Sequence, residues 1–144
     1  MSRYALDEPE DVFWHRLGIP SQGDQLLILA RSGFPFVIFE RLTRVFQLDA
    51  AHLGKLLSIS SSTLRRRRLA GYFNPQESDR IFRAAMVLRQ VSQLFEGNVG
   101  MAKLWMSTPQ VGLGGRLPRE MFSTAIETRA LLNVIGRIEY GVLS

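Results

Sequence analysis

The 144-residue chain contains no cysteine and only two histidines, His15 and His52, which lie in unrelated segments. A disulfide, a thiolate zinc site and a histidine metal cluster are therefore excluded, and no structural metal is expected. No apolar run approaches the roughly 18 residues of a membrane-spanning helix. Where a secretion signal would be basic and then apolar, the chain carries Asp7, Glu8, Glu10 and Asp11, so a cytoplasmic location without membrane attachment is expected. The acids are scattered, and no Ser/His/Asp set or paired-carboxylate cleft can be assembled from them. Neither catalysis nor a cofactor is expected. Period-two alternation is also missing, and glycines and prolines fall between segments of helical periodicity, which predicts an all-α chain.

What the chain does have is unevenly distributed charge. The net charge is +5, yet residues 41–89 hold ten Lys or Arg (Arg41, Arg44, Lys55, Arg65, Arg66, Arg67, Arg68, Arg80, Arg83, Arg89) against Asp49, Glu77 and Asp79, a local +7. A concentrated positive field beside a nearly neutral remainder suits phosphate binding through counterion release. A solvated basic face would carry the same charge. Hydrophobic residues make up 46% of the chain, enough for one continuous core or two small ones.

Residues 1–23 read as an arm with at most one helical turn, holding the Val12-Phe13-Trp14 cluster and ending in a breaker from Gly18 to Gly23. Asp24 to Ser32 predicts a short helix stopped by Gly33, and Pro35 opens the next, which runs to about Gln47. Asp49 is an N-cap for a helix over 50–57, with Leu48 and Leu53 as its hydrophobic staple. Ser60 repeats the pattern for a helix over 61–69, with Ile59 and Leu64. Two short capped helices joined by a tight turn predict a helix-turn-helix within residues 24–74. Gly54 sits where a small residue lets the two helices approach, whereas Ser58 occupies a turn position that often carries glycine. Asn74-Pro75-Gln76-Glu77 reads as a capping box opening a connecting helix over 75–96, whose apolar stripe is wider than one core face needs and is the candidate seam of a homodimer, with the C-terminal half as the alternative. Residues 97–144 form the last region: a short helix Val99 to Met106, a glycine-rich loop from Thr108 to Leu117 closed by Pro118, and a final helix over about Ser123 to Tyr140.

The second helix of the motif, Ser61-Ser62-Thr63-Leu64-Arg65-Arg66-Arg67-Arg68-Leu69, is the sharpest chemical signal. At about 100° per residue four consecutive arginines cannot all face one partner. With Leu64 turned inward, Ser62, Arg65, Arg66 and Leu69 face outward and Ser61 lies at the N-terminal edge. Arginine suits guanine O6 and N7, and serine reaches bases or phosphates near a helix N-terminus. Arg67, Arg68, Arg44 and Lys55 are expected on phosphates.

In the C-terminal half, Lys103-Leu104-Trp105-Met106 is followed by Thr108-Pro109, by Leu113-Gly114-Gly115-Arg116-Leu117-Pro118, by Thr124, and by Leu132-Asn133-Val134-Ile135-Gly136-Arg137-Ile138-Glu139-Tyr140-Gly141-Val142. This order resembles the toxin-binding domain of Xre/ParS-type antitoxins, which pair with RES-domain toxins; the ending from Gly136 to Val142 is its most specific part. The resemblance extends from about residue 24, since family members place a Cro-like helix-turn-helix before this domain. Glu127 stands where the family has glycine ahead of the last helix. The resemblance implies a two-gene module in which the toxin degrades NAD and the antitoxin covers its active-site mouth, commonly also repressing its own operon.

Read on their own, Trp105, Leu104 and Met106 are expected in the core. The loop glycines lack the lysine and hydroxyl residue of a P-loop and need only unusual backbone angles. In the last helix Ile126, Ala130, Val134 and Ile138 form the expected buried line, widened by Leu131 and Ile135. The expected toxin-binding surface combines Leu113, Gly114, Gly115 and Arg116 with Asn133, Arg137, Glu139, Tyr140 and the tail Gly141, Val142, Leu143 and Ser144. A stand-alone transcriptional repressor whose C-terminal half only dimerises would use the same helix-turn-helix.

Overall fold

A computed structural model describes residues 10–20 and 23–141, and the tail residues Val142, Leu143 and Ser144 lie outside the described set. Among the described residues eight α-helices follow one another: α1 (Glu10–Leu17), α2 (Asp24–Ser32), α3 (Phe36–Val45), α4 (Ala50–Leu56), α5 (Ser61–Ala70), α6 (Pro75–Leu94), α7 (Val99–Met106) and α8 (Ala125–Glu139). Short 3-10 turns at Val111–Leu113 and Pro118–Glu120 lie between α7 and α8. Among the described residues there is no strand beyond one isolated bridge between Pro35 and Tyr72. The chain divides into two compact units, Glu8–Phe82 and Arg83–Ser144, with the boundary inside α6.

The first unit is built around aromatic residues. Phe36 stacks on Phe73 with ring centroids 5.2 Å apart, and Phe39 lies 5.7 Å from the same ring. The bridge ties the start of α3 to the residues after α5: the Phe36 amide donates to the Gly71 carbonyl (2.8 Å) and the Phe73 amide to the Phe34 carbonyl (2.9 Å). Gly33 makes this approach possible. At φ 95°, a Cβ there would fall 2.0 Å from the Phe73 carbonyl oxygen. Ser78, fully buried, accepts the Phe34 amide (2.8 Å) and donates to the Asn74 carbonyl (2.7 Å), so two polar groups in the core satisfy each other.

The segment expected to be an arm is instead an eight-residue helix with a buried face. Phe13, Trp14, Leu17 and Ile19 are all core residues. Trp14 stacks on Phe82 at 5.0 Å and Phe13 meets Phe46 at 6.5 Å. A helix this short is marginal alone, so its stability derives from this packing rather than from propensity.

Helix α6 buries residues around most of its circumference: Ser78, Ile81, Ala84, Ala85, Val87, Leu88, Val91 and Ser92. Its broad apolar stripe is thus taken up within the chain, which removes it as the seam of a homodimer.

In the second unit α8 starts at Thr124, whose hydroxyl accepts the Glu127 amide (3.1 Å) while the Glu127 carboxylate accepts the Thr124 amide (3.2 Å). Glu127 therefore closes a capping box at the start of α8. The buried residues of α8 are Thr128, Leu131, Val134 and Ile135, so the expected Leu131, Val134 and Ile135 are inside while the rest of the expected line is not. Ile126 is 83% exposed, and Ala130 and Ile138 are half-buried. Apolar residues occupy both candidate stripes, and the turn at Val111–Leu113 selects between them by packing on α8, with a Cβ on Gly112 falling 3.0 Å from Val134. The Lys103–Met106 segment is split: Met106 is buried, Trp105 is half-buried against Phe95 (6.2 Å), and Leu104 is exposed, contrary to its expected core role.

Candidate functional site

Helices α4 and α5 form the expected helix-turn-helix, each with its expected cap. The Asp49 carboxylate accepts the His52 amide at 2.8 Å, and this bond, with the His52 ring beside it, holds the Asp49 carboxyl below its usual range. The Ser60 hydroxyl accepts the Thr63 amide at 3.2 Å. Ser58 sits at φ 57°, the left-handed geometry that glycine would adopt without strain. The turn is held from α6, where the Arg80 guanidinium donates to the carbonyls of Leu57 (2.8 Å) and Ser58 (3.2 Å). Gly54 fits beneath Leu64, since a Cβ would lie 2.8 Å from Leu64 Cδ1 and 3.1 Å from the Ile59 carbonyl oxygen.

Helix α5 stands out from this support. Leu64 is its one buried residue, and Ser61, Ser62, Arg65, Arg66, Arg68 and Leu69 are all exposed. The inward turn of Leu64 thus brings Ser61, Ser62, Arg65 and Arg66 onto the free side. Arg66 also donates to the Thr63 hydroxyl (3.2 Å), and the Arg68 guanidinium carbon lies 5.1 Å from the centroid of the Phe36 ring. Arg44 on α3 and Lys55 on α4 are exposed within the same unit.

Arg67 departs from the expected set. Its guanidinium donates twice to the buried Glu77 carboxylate, Nε at 2.7 Å and Nη2 at 3.0 Å. The same carboxylate accepts the Asn74 amide (3.0 Å), while Asn74 Oδ1 accepts the Glu77 amide (2.8 Å), completing the box at the start of α6. Burial pushes the Glu77 carboxyl up, but the Arg67 and Asn74 hydrogen bonds and the charges of Arg67 and Arg80 outweigh it and hold the group below its ordinary value. Arg67 in turn is raised by the same bond. Two of its donor nitrogens are thus engaged within the chain, so Arg67 anchors α5 to the start of α6.

In the second unit the glycine-rich loop is internally bonded. The Gln110 carbonyl accepts the amides of Leu113 (3.0 Å) and Gly115 (2.9 Å), the Gln110 amide donates to the Arg116 carbonyl (3.1 Å), and the Arg116 guanidinium donates to the Leu113 carbonyl (3.1 Å). Gly114 and Gly115 take φ of 66° and 84°, successive left-handed positions that allow this closure. Leu113, expected on the contact surface, is buried against the rest of the unit and is a core residue. Gly114, Gly115 and Arg116 are exposed, as are Asn133, Arg137, Glu139, Tyr140 and Gly141. The residue missed by sequence reasoning is Val111, which the loop presents at 96% exposure. Nothing in its local sequence beyond its place among glycines distinguishes it from a core valine.

Comparison with known proteins divides the chain much as these two surfaces do. Residues 25–86 match the Antitoxin Xre-like helix-turn-helix domain, and residues 90–141 match the Antitoxin Xre/MbcA/ParS C-terminal toxin-binding domain. A protein of Yersinia enterocolitica named Antitoxin Xre is 35% identical over 133 residues, spanning 91% of this chain and 90% of the relative. The chain belongs to the Xre antitoxin family. A second Xre antitoxin, from Photorhabdus laumondii, is 31% identical over the same shares of both chains. Within the Xre family frame, α2 to α5 fall in the helix-turn-helix domain, and the Gln110–Arg116 loop and α8 fall in the toxin-binding domain. This is a family of antitoxins rather than of enzymes, and no described helix is long and apolar enough to cross a membrane.

Proposed function

We propose that this chain is the antitoxin of a type II toxin–antitoxin module, acting in the cytoplasm on a RES-domain toxin that degrades NAD. The C-terminal half covers the toxin's active-site mouth, and α5 reads the module's operator so that the antitoxin represses its own operon. The observation that carries the DNA-binding half is α5 itself: a ten-residue helix with one buried residue, Leu64, and with two serines and three arginines on its exposed surface. Ser61, Ser62, Arg65 and Arg66 contact base edges, and Arg68, Arg44 and Lys55 set position on the phosphates. A homodimer presents two such helices to paired half-sites.

The toxin-binding half is supported by the match of residues 90–141, and the RES pairing by the resemblance of the Gly136–Val142 ending to antitoxins of that class. Asn133, Arg137, Glu139 and Tyr140 line the exposed end of α8. The bonded loop adds Val111, a preformed apolar contact that costs little ordering on binding, flanked by Gly114, Gly115 and Arg116. The tail, residues 141–144, enters the toxin's cleft, with Glu139 taking an anion position built for a dinucleotide phosphate.

The test is co-expression with the neighbouring open reading frame, followed by pull-down, growth and cellular NAD. Full-length chain is expected to co-purify with the toxin and preserve NAD. A chain ending at Tyr140 should keep its fold and DNA binding but lose protection. Full protection by that truncation would place the blockade on the loop instead, and absence of any toxin partner would leave a stand-alone repressor.

A further inference from the structure

Among the described helices α2 alone has no buried residue, although five consecutive apolar residues run through it from Leu26 to Ala30. Leu26, Leu29 and Ala30 are half-buried on the side toward the unit. The opposite side reads Asp24, Leu27, Ile28, Arg31, the i, i+3, i+4, i+7 spacing of a single helical face. All four are exposed, Leu27 by 57% and Ile28 by 63%. An apolar centre bracketed by opposite charges is an unusual face to leave in water.

We propose that this face is the two-fold seam through which two copies of the chain pair, α2 against α2 in antiparallel orientation. The pattern is self-complementary in a specific way. The midpoint between Leu27 and Ile28 is also the midpoint between Asp24 and Arg31, so one two-fold axis through that point satisfies both pairs. Leu27 then faces the partner subunit's Ile28 and Ile28 faces the partner subunit's Leu27, while Asp24 faces the partner subunit's Arg31 and Arg31 faces the partner subunit's Asp24. An isologous contact demands this reciprocity, and a heterologous partner does not. Nucleic acid would not favour a face with an apolar centre and an aspartate. The matched toxin-binding domain begins at residue 90, whereas α2 from residue 25 onward lies within the helix-turn-helix match.

The seam is small. Two turns of helix per copy bury much less than the roughly 1,200 Å² of a standard stable interface, so the free dimer is weak and closes fully only when both α5 helices are held on one DNA. That purpose rests on the DNA-binding reading above, but the seam itself rests on α2 alone.

Sedimentation velocity on the full chain tests it, at concentrations up to roughly 300 μM because the interface is below standard size. The wild type is expected to dimerise reversibly. Asp24→Arg and Arg31→Asp each set like charges against one another and should weaken dimerisation about tenfold, while the double variant restores opposition and should return to within a few-fold of wild type. Leu27→Lys should leave a monomer. Because all these residues are exposed, circular dichroism and toxin co-elution should be unchanged, which separates loss of the seam from loss of fold. A monomeric wild type throughout that range, or a double variant no better than the single ones, overturns the seam. If dimerisation follows the charges but DNA binding is absent, the repressor reading fails and the seam stands.

Discussion

Replacing Glu77 by glutamine isolates the ion pair that anchors α5. The carboxylate is buried and accepts three N–H groups, two from Arg67 at 2.7 and 3.0 Å and one from Asn74 at 3.0 Å. An amide keeps one acceptor for the Asn74 cap but turns an NH2 group toward a guanidinium that has only donors. Breaking a buried pair costs about 3–5 kcal/mol. The Arg67 side chain is 22% exposed and can recover some hydration, so about 2–3 kcal/mol is expected for Glu77→Gln. Glu77→Ala should cost about 1 kcal/mol more by removing the reciprocal bond of the capping box. In a unit of this size, 2–3 kcal/mol lowers the melting temperature by roughly 10–20 °C, readable by calorimetry. The pH dependence supplies an independent check. Glu77 is held below its ordinary 4.5 in the folded chain, so in this range the unfolded state binds more protons. Its contribution is therefore fully present above the unfolded value and lost as pH falls through the folded one. Glu77→Gln should remove that component of the acid slope. A variant within about 0.5 kcal/mol of wild type, or with an unchanged slope, would refute the assignment of Arg67 to structure.

On DNA, Arg65→Ala and Arg66→Ala should each weaken operator binding by about 1–3 kcal/mol and relax sequence preference, while Arg68→Ala weakens specific and scrambled DNA alike; gel shifts showing the same loss for all three would remove the register set by Leu64. Gly54→Val should destabilise the first unit by about 2–3 kcal/mol in denaturant unfolding, because the Ile59 carbonyl cannot retreat as a side chain would. Val111→Asp should leave the melting temperature unchanged and weaken the toxin complex at least about tenfold by calorimetric titration, whereas Leu113→Asp should damage the fold itself. An unaltered toxin affinity for Val111→Asp would exclude the loop from the contact.

Local chemistry was legible wherever a feature is complete within a few residues. The bounds of α2 and α7, the caps at Asp49 and Ser60 and the box of Asn74 and Glu77 are all such features, and each is present in the structure. Features completed by distant residues were not. Phe13 and Trp14 look like an isolated apolar cluster until Phe46 and Phe82 are brought beside them. Arg67 and Arg68 read alike in the sequence, and only Glu77, across the turn into α6, sets Arg67 apart. On α8 the apolar residues allow two stripes, and the choice comes from the turn packed against it. Leu113 turns inward and Val111 outward because side-chain direction in a 3-10 turn follows its hydrogen bonds, which periodicity does not encode.

The division of labour along α5 bears on how such a protein can change its target. Attachment of the helix falls to Leu64, Arg67 and the Ser60 cap, whereas Ser61, Arg65 and Leu69 have no hydrogen bond, ion pair or ring contact among the described residues. Substitutions at those three positions carry almost no structural penalty, so they are open to drift, selection or library design while the anchoring positions stay constant. A descendant could thus move to a new operator in single steps without ever passing through an unstable intermediate, and without altering the surface presented to its toxin.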